Sequence, residues 1–114
     1  MDDNPKQAPV AYLIINSQIY PLNKPVTTIG RKLDNHVVIQ DPLVSRHHAE
    51  IRQKGKQYFL HDLESTCGTF VNQKNVAEGQ LFSGDIILFA NVPIMFVDET
   101  ASLLFSSESQ TGNL

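Results

Sequence analysis

The chain has little of what several protein classes require. It holds one cysteine, Cys67, so it makes no internal disulfide and carries no mark of an oxidising compartment. No apolar run approaches the ~20 residues a helix needs to span a bilayer. The acidic start, Met1-Asp2-Asp3-Asn4-Pro5, lacks the basic-then-apolar order of a signal peptide. A soluble cytoplasmic protein, or a cytoplasmic domain of a longer one, is therefore expected, without membrane insertion. Excess positive charge is also missing. A formal net charge of -3 over 114 residues argues against a polyanion binder built on many phosphate contacts, so nucleic acid is not an expected partner. No window keeps a helical period. There is no CxxC or HExxH spacing, and no nucleophile elbow surrounds any serine.

What is present reads as strands and turns. With 41% hydrophobic residues, the length suits one domain with one core. Residues 1 to 9, with two prolines and mostly polar groups, read as a loose tail. Short apolar or alternating runs follow at 11–15, 18–22, 26–29, 37–39, 49–53, 57–61, 69–71, 80–82, 85–89 and 93–97. Asn16-Ser17 and Lys54-Gly55-Lys56 are hairpin turns in this reading, whereas 72–79 is irregular. The last two runs are apolar on both faces, which predicts central strands covered on each side, joined across Ala90-Asn91-Val92. Many short strands with close turn signals predict an all-β sandwich or barrel. Residues 99 to 114 turn polar and rich in Ser and Thr, interrupted by Leu103-Leu104-Phe105, and read as a tail or linker.

Charge is uneven along this chain. Residues 24 to 56 hold seven cations, Lys24, Arg31, Lys32, Arg46, Arg52, Lys54 and Lys56, against Asp34, Asp41 and Glu50. A local positive region in an acidic protein fits one small anion better than a long backbone. Arg31, Ser45, Arg46, Ser65 and Thr66 all fall in loops at strand ends. A phosphate monoester needs a guanidinium fork, hydroxyl donors and backbone N–H groups converging from several loops, and each kind is supplied here. Ordinary turn chemistry uses the same residue types, so spacing alone leaves both readings open.

A wider match decides between them. Gly30-Arg31, then Ser45-Arg46-His47-His48-Ala49, then Asp62-Leu63-Glu64-Ser65-Thr66-Cys67-Gly68-Thr69-Phe70-Val71-Asn72, then Leu81 with Gly84-Asp85, resembles the forkhead-associated (FHA) domain in order and interval. The resemblance runs from about Ala11 to Val97. It implies an FHA-like (SMAD/FHA) sandwich of two twisted antiparallel sheets, about 11 short strands, over residues 10–98. It also implies binding of phosphothreonine on a partner protein, or on its own chain, through loops at one end, in a Ser/Thr kinase pathway. No catalysis, cofactor or metal is implied, and a monomer is expected. Thr100, Thr111 and the serines at 102, 106, 107 and 109 are candidates for such an internal ligand.

Carried over residue by residue, Arg31 resembles the arginine that pairs with phosphate and Ser45 the serine that hydrogen-bonds it. Arg46 is an additional donor, and Thr66 contacts the phosphate through hydroxyl or backbone. His48 resembles a histidine that shapes the binding loop without touching ligand. Gly30 and Gly68 answer to backbone geometry, and Asn72 fixes the following turn. Leu43 and Lys32 occupy variable positions that would read the residues after the phosphothreonine. Cys67 departs from the pattern. Family members usually carry Asn there, whose amide bonds the peptide main chain; losing that bond costs about 0.5 to 1.5 kcal/mol. A phosphate-independent interaction domain of the same fold is the alternative.

Other chemistries are weaker. Ser45, His47, His48 and Asp62 include the residue types of a hydrolytic triad, and Cys67 with a histidine those of a thiol enzyme. Without a supporting signature, and with little chain left for a substrate pocket, no enzyme is expected. His36, His47, His48, His61 and Cys67 are nominal metal ligands, but adjacent histidines on an extended segment point to opposite faces. Asp62 and Asp85 are expected to satisfy loop backbone donors.

Overall fold

The computed structural model describes residues 10–100. These form eleven strands, with helical conformation recorded only at Thr100 among the described residues. In chain order they are β1 (Ala11–Ile15), β2 (Gln18–Pro21), β3 (Val26–Gly30), β4 (Val37–Val38), β5 (Ala49–Lys54), β6 (Gln57–Asp62), β7 (Thr69–Val71), β8 (Lys74–Asn75), β9 (Glu78–Leu81), β10 (Ile86–Phe89) and β11 (Val92–Asp98). A six-stranded sheet runs β2-β1-β11-β10-β7-β8, and a five-stranded sheet runs β4-β3-β5-β6-β9. The expected all-β sandwich is the fold found. Every pairing is antiparallel except the two-residue parallel pair of β3 with β4.

Alternation along the strands builds the core. In β1, Ala11, Leu13 and Ile15 are buried while Tyr12 and Ile14 are half-buried on the other side, as a period of two requires. Ile29, Ile51 and Leu60 of the smaller sheet meet Leu13, Ile87, Phe89, Ile94 and Phe96 of the larger within one buried cluster. Two-residue turns set the register. Asn16 and Ser17 both have positive φ (50° and 68°), the pattern of a type I′ hairpin, and Gly55 (φ 62°) opens the β5–β6 turn.

Three expectations about local structure change. The stretch 72–79 is not irregular: Asn72 and Gln73 (φ 50° and 75°) make a second type I′ turn into β8, and β9 begins at Glu78. The turn escaped notice because it lacks the glycine that usually marks it. The β10–β11 connection is only Ala90-Asn91, since Val92 already pairs with Phe89. Finally, β10 and β11 do lie mid-sheet, but one face only is covered. Ile86 is 37% and Met95 39% exposed, while their neighbours Ile87 and Ile94 are buried. A continuous apolar run does not by itself reveal whether a second layer lies on the other side.

The expected tail at residues 1–9 lies outside the described residues, as does the other beyond Thr100. Glu99 is described and continues the pairing, its N–H donating to the Val10 carbonyl at 2.7 Å.

Candidate functional site

At the end of the sandwich where β3 stops and β5 starts, three loops converge: 31–36, 39–48 and 63–68. The first two are laced together through the backbone. The N–H groups of Arg31 and Lys32 donate to the carbonyls of Ser45 (3.0 Å) and Arg46 (3.1 Å), and the Ile39 N–H donates to the Gly30 carbonyl (2.9 Å). Asn35 locks this seam. Its amide nitrogen donates to the carbonyls of both Lys32 and Arg46 at 2.8 Å, and the residue is only 7% exposed. Gly30 fits against the same point. A Cβ there would overlap the Arg46 carbonyl oxygen and the Asn35 amide, so close approach, rather than positive φ, requires glycine.

The third loop is held by a carboxylate. Asp62 accepts from the Ser65 N–H (3.0 Å), the Ser65 hydroxyl (2.6 Å) and the Thr69 hydroxyl (2.6 Å), while the Ser65 oxygen accepts from the Gly68 N–H (3.0 Å). Burial pushes the Asp62 carboxyl up. The hydrogen bonds from Ser65 and Thr69, with His48 nearby, outweigh that and hold its pKa below the ordinary 3.8. Gly68, at φ 88°, takes a left-handed conformation, and a Cβ on it would press the Asn75 amide at 3.1 Å and the Phe70 ring at 3.3 Å.

His48 joins the two halves. The ring is fully buried, its Nδ1 accepting from the Ser45 N–H and its Nε2 lying 3.0 Å from the Gly68 carbonyl. With Nδ1 as acceptor, the ring proton belongs on Nε2 and is donated to Gly68. The Ser45 hydroxyl oxygen also accepts from the Thr66 N–H at 3.0 Å, a direct link between the second and third loops. That leaves the Ser45 hydroxyl proton available to donate outward.

The loops enclose a cavity of about 510 Å³ lined by Arg31, Lys32, Ser45, Arg46, His47 and Thr66. Arg31 is braced from behind, its Nε donating to the Val44 carbonyl at 2.9 Å. Its terminal guanidinium nitrogens have no hydrogen bond to protein among the described residues. The lining carries three permanent cations, two hydroxyls and His47, whose Nε2 lies 3.2 Å from Asp34. Such a set can receive a compact oxyanion by charge-assisted hydrogen bonds.

Four of the residues singled out from the sequence, Arg31, Ser45, Arg46 and Thr66, thus line one cavity. Cys67 is exposed on the same loop but does not line it. Asn72 sits at the far end of β7, where its amide donates to Asp85 (2.9 Å) and its oxygen accepts from the Ile86 N–H (3.0 Å), so it fixes a turn remote from the cavity. Asp85 also accepts from the Phe82 N–H (2.8 Å), in the loop role expected of it. The histidines are dispersed: His36 bonds Thr28, His61 meets Glu78, His47 is exposed and His48 buried. Asn35 is the residue that sequence reasoning missed. In Asp34-Asn35-His36 it looked like any turn asparagine, and the only available signal was its place between the arginine and serine loops.

A two-sheet sandwich whose end loops build an oxyanion cradle has the architecture of a class of binding domain. The chain belongs to the FHA family: the model of the FHA domain matches residues 27–90. Among curated relatives, it is 34% identical over 76 residues to the glycogen accumulation regulator GarA of Mycolicibacterium smegmatis, spanning 67% of this chain and 48% of that protein. Among solved structures, Mycobacterium tuberculosis EmbR in complex with a low affinity phosphopeptide aligns with a TM-score of 0.76 and 36% identity, over 81% of this chain and 25% of that one. The FHA domain of FhaA, complexed with the intracellular domain of Rv3910, aligns with a TM-score of 0.73 and 37% identity, over 75% of this chain and 98% of that one. The chain therefore spans about half of the GarA protein and a quarter of the EmbR chain.

Proposed function

We propose that this chain is a phosphothreonine-binding module, with residues 10–98 as its binding domain, that captures a phosphorylated partner in a Ser/Thr kinase pathway without catalysing a reaction. The observation that carries this reading is Arg31. Its Nε is committed to the Val44 carbonyl, which turns the rest of the guanidinium toward a cavity shared with Ser45, Arg46 and Thr66. The fork pairs with two phosphate oxygens, the Ser45 hydroxyl donates to a third, and Thr66 and Arg46 close the remaining sides. His48 and Asn35 act through the loops they tie, without touching ligand. The relatives support the reading: EmbR was solved with a phosphopeptide and GarA is a regulator. A cytoplasmic monomer fits such a role.

Titrating a phosphothreonine peptide library against the unaltered chain and Arg31→Ala tests this. Binding of some members that is lost in the variant is expected; no binding, or equal binding by the variant, overturns it. A phosphate-independent interaction domain of the same fold is the second reading, favoured by the thiol of Cys67, a weak donor where a family member carries an amide. Capture of an unphosphorylated partner that persists after Arg31→Ala would select it.

A further inference from the structure

The phosphate cavity offers more than one phosphate uses. A phosphate group has five heavy atoms, and at a water molecule's share of about 30 Å³ each it fills roughly 150 Å³. The cavity measures about 510 Å³. Charge is in excess as well. Arg31, Lys32 and Arg46 line the cavity and no carboxylate does, whereas a phosphothreonine brings about -1.5 to -2 at neutral pH. Three cations meet at most two negative charges, so one is left over.

The contacts show which groups are left. Arg31 is braced on the Val44 carbonyl and Ser45 is tied to Thr66, so these three belong to one part of the cavity. Lys32 and His47 share a different partner. The Lys32 Nζ lies 3.9 Å from one oxygen of Asp34, and the His47 Nε2 lies 3.2 Å from the other. A carboxylate only accepts, so the His47 Nε2 carries the ring proton. All three side chains are at least half exposed, and exposed ion pairs of this kind hold weakly. Asp34 is not part of the lining, and neither are Asp41 and Glu64, the other carboxylates of these loops. Lys32 and His47 thus stand between the cavity and a carboxylate just outside it, free to exchange that partner for one that enters with the ligand.

We propose that Lys32 and His47 form a second anion subsite in the cavity, filled by a second acidic side chain of the phosphothreonine peptide, either a carboxylate or another phosphate. Asp34 holds the two donors until that group arrives and competes with it afterwards. The inference rests on the phosphothreonine reading and adds the kind of peptide preferred.

The test is calorimetric titration of a phosphothreonine peptide with neutral flanks, into which Glu, Gln or a second phosphothreonine is placed at each flanking position in turn. The quantity read is the ratio of affinities, Glu over Gln, which is insensitive to a uniform loss of binding. At one position Glu is expected to bind about two- to fivefold tighter than Gln. That ratio should fall to about one in Lys32→Gln and rise in Asp34→Asn, where the competing charge is gone. The second phosphothreonine shows whether the subsite takes phosphate as well as carboxylate. A ratio that stays the same in Lys32→Gln at every position overturns the subsite, because the preference then comes from the field of the whole cavity. A ratio that falls in Asp34→Asn overturns the competition. Neutral-flank peptide that binds while no position depends on Lys32 removes the subsite alone; failure of every phosphothreonine peptide to bind removes the phosphothreonine reading and the subsite with it.

Discussion

The two arms of the phosphate cavity are held by different chemistry. In the arm made of residues 31 to 47 the seam itself is neutral, backbone N–H groups meeting backbone carbonyls and the Asn35 amide tying Lys32 to Arg46, and carboxylates act only at its margins, where Asp41 accepts from the Leu43 N–H and Asp34 lies against Lys32 and His47. The arm made of residues 63 to 68 depends on a charge, because the Asp62 carboxylate gathers Ser65 and Thr69. His48 and the Ser45–Thr66 bond couple the arms. The difference predicts a division of sensitivity. Acid should loosen the Thr66 side of the site and leave the Arg31 side organised, while removing one amide should do the reverse.

Removing the ligand-facing charge should have the largest effect. Arg31→Ala forfeits two charge-assisted hydrogen bonds at about 1.5 to 3 kcal/mol each, so phosphopeptide affinity should fall at least ~100-fold by calorimetric titration. The fold should be unaffected, since the residue is exposed. Asn35→Ala removes the two side-chain hydrogen bonds that supplement the backbone bonds to the Lys32 and Arg46 carbonyls, and should cost about 1 to 3 kcal/mol in urea unfolding, with roughly tenfold weaker peptide binding. Unchanged binding in this variant would mean that the backbone seam alone shapes the first arm.

Asp62→Asn separates the arms by pH. The Asp62 pKa is lowered, so its stabilisation is complete above the ordinary 3.8 and is lost as pH falls through the folded value. Urea unfolding of the unaltered chain should lose stability as pH drops below about 4. The Asp62→Asn variant should start about 1 to 2 kcal/mol less stable at neutral pH and show a flatter acid limb. A parallel acid limb in both proteins would assign the loss to other carboxylates. On the same loop, Cys67→Asn should tighten phosphopeptide binding by about two- to tenfold by restoring an amide for the peptide main chain. Smallest is Ala90→Gly. Ala90 has φ 58° at the first position of a two-residue turn that favours glycine, and its N–H donates to the Gly68 carbonyl at 3.1 Å. The change should raise stability by about 0.5 to 1 kcal/mol, the relief of left-handed strain less the added freedom of glycine in the unfolded chain.

Much of this arrangement could be read from residues in order. The short apolar run Ala11–Ile15 marked a hairpin strand, and Arg31, Ser45, Arg46 and Thr66 announced themselves as loop donors that do line one cavity. What stayed hidden has definite causes. Asn72-Gln73 adopts a turn usually signalled by Asn-Gly, so β8 went unseen. The run Ile86 to Phe89 fits coverage on one face or two. Asn35 acts on carbonyls three and eleven residues distant, a relation that no local pattern encodes. Lys32, expected to read the residues after the phosphothreonine, and His47 enter the lining because the loop fold brings them there.

The central claim is that this chain recognises phosphate on threonine. Its most direct test is calorimetric titration of one peptide sequence, chosen from the library, in three forms: phosphothreonine, phosphoserine and unmodified threonine. Saturable 1:1 binding of the phosphothreonine form is expected, with weaker binding of phosphoserine, which lacks the γ-methyl, and none of the unmodified form. Equal affinity for the phosphorylated and unmodified peptides would contradict it.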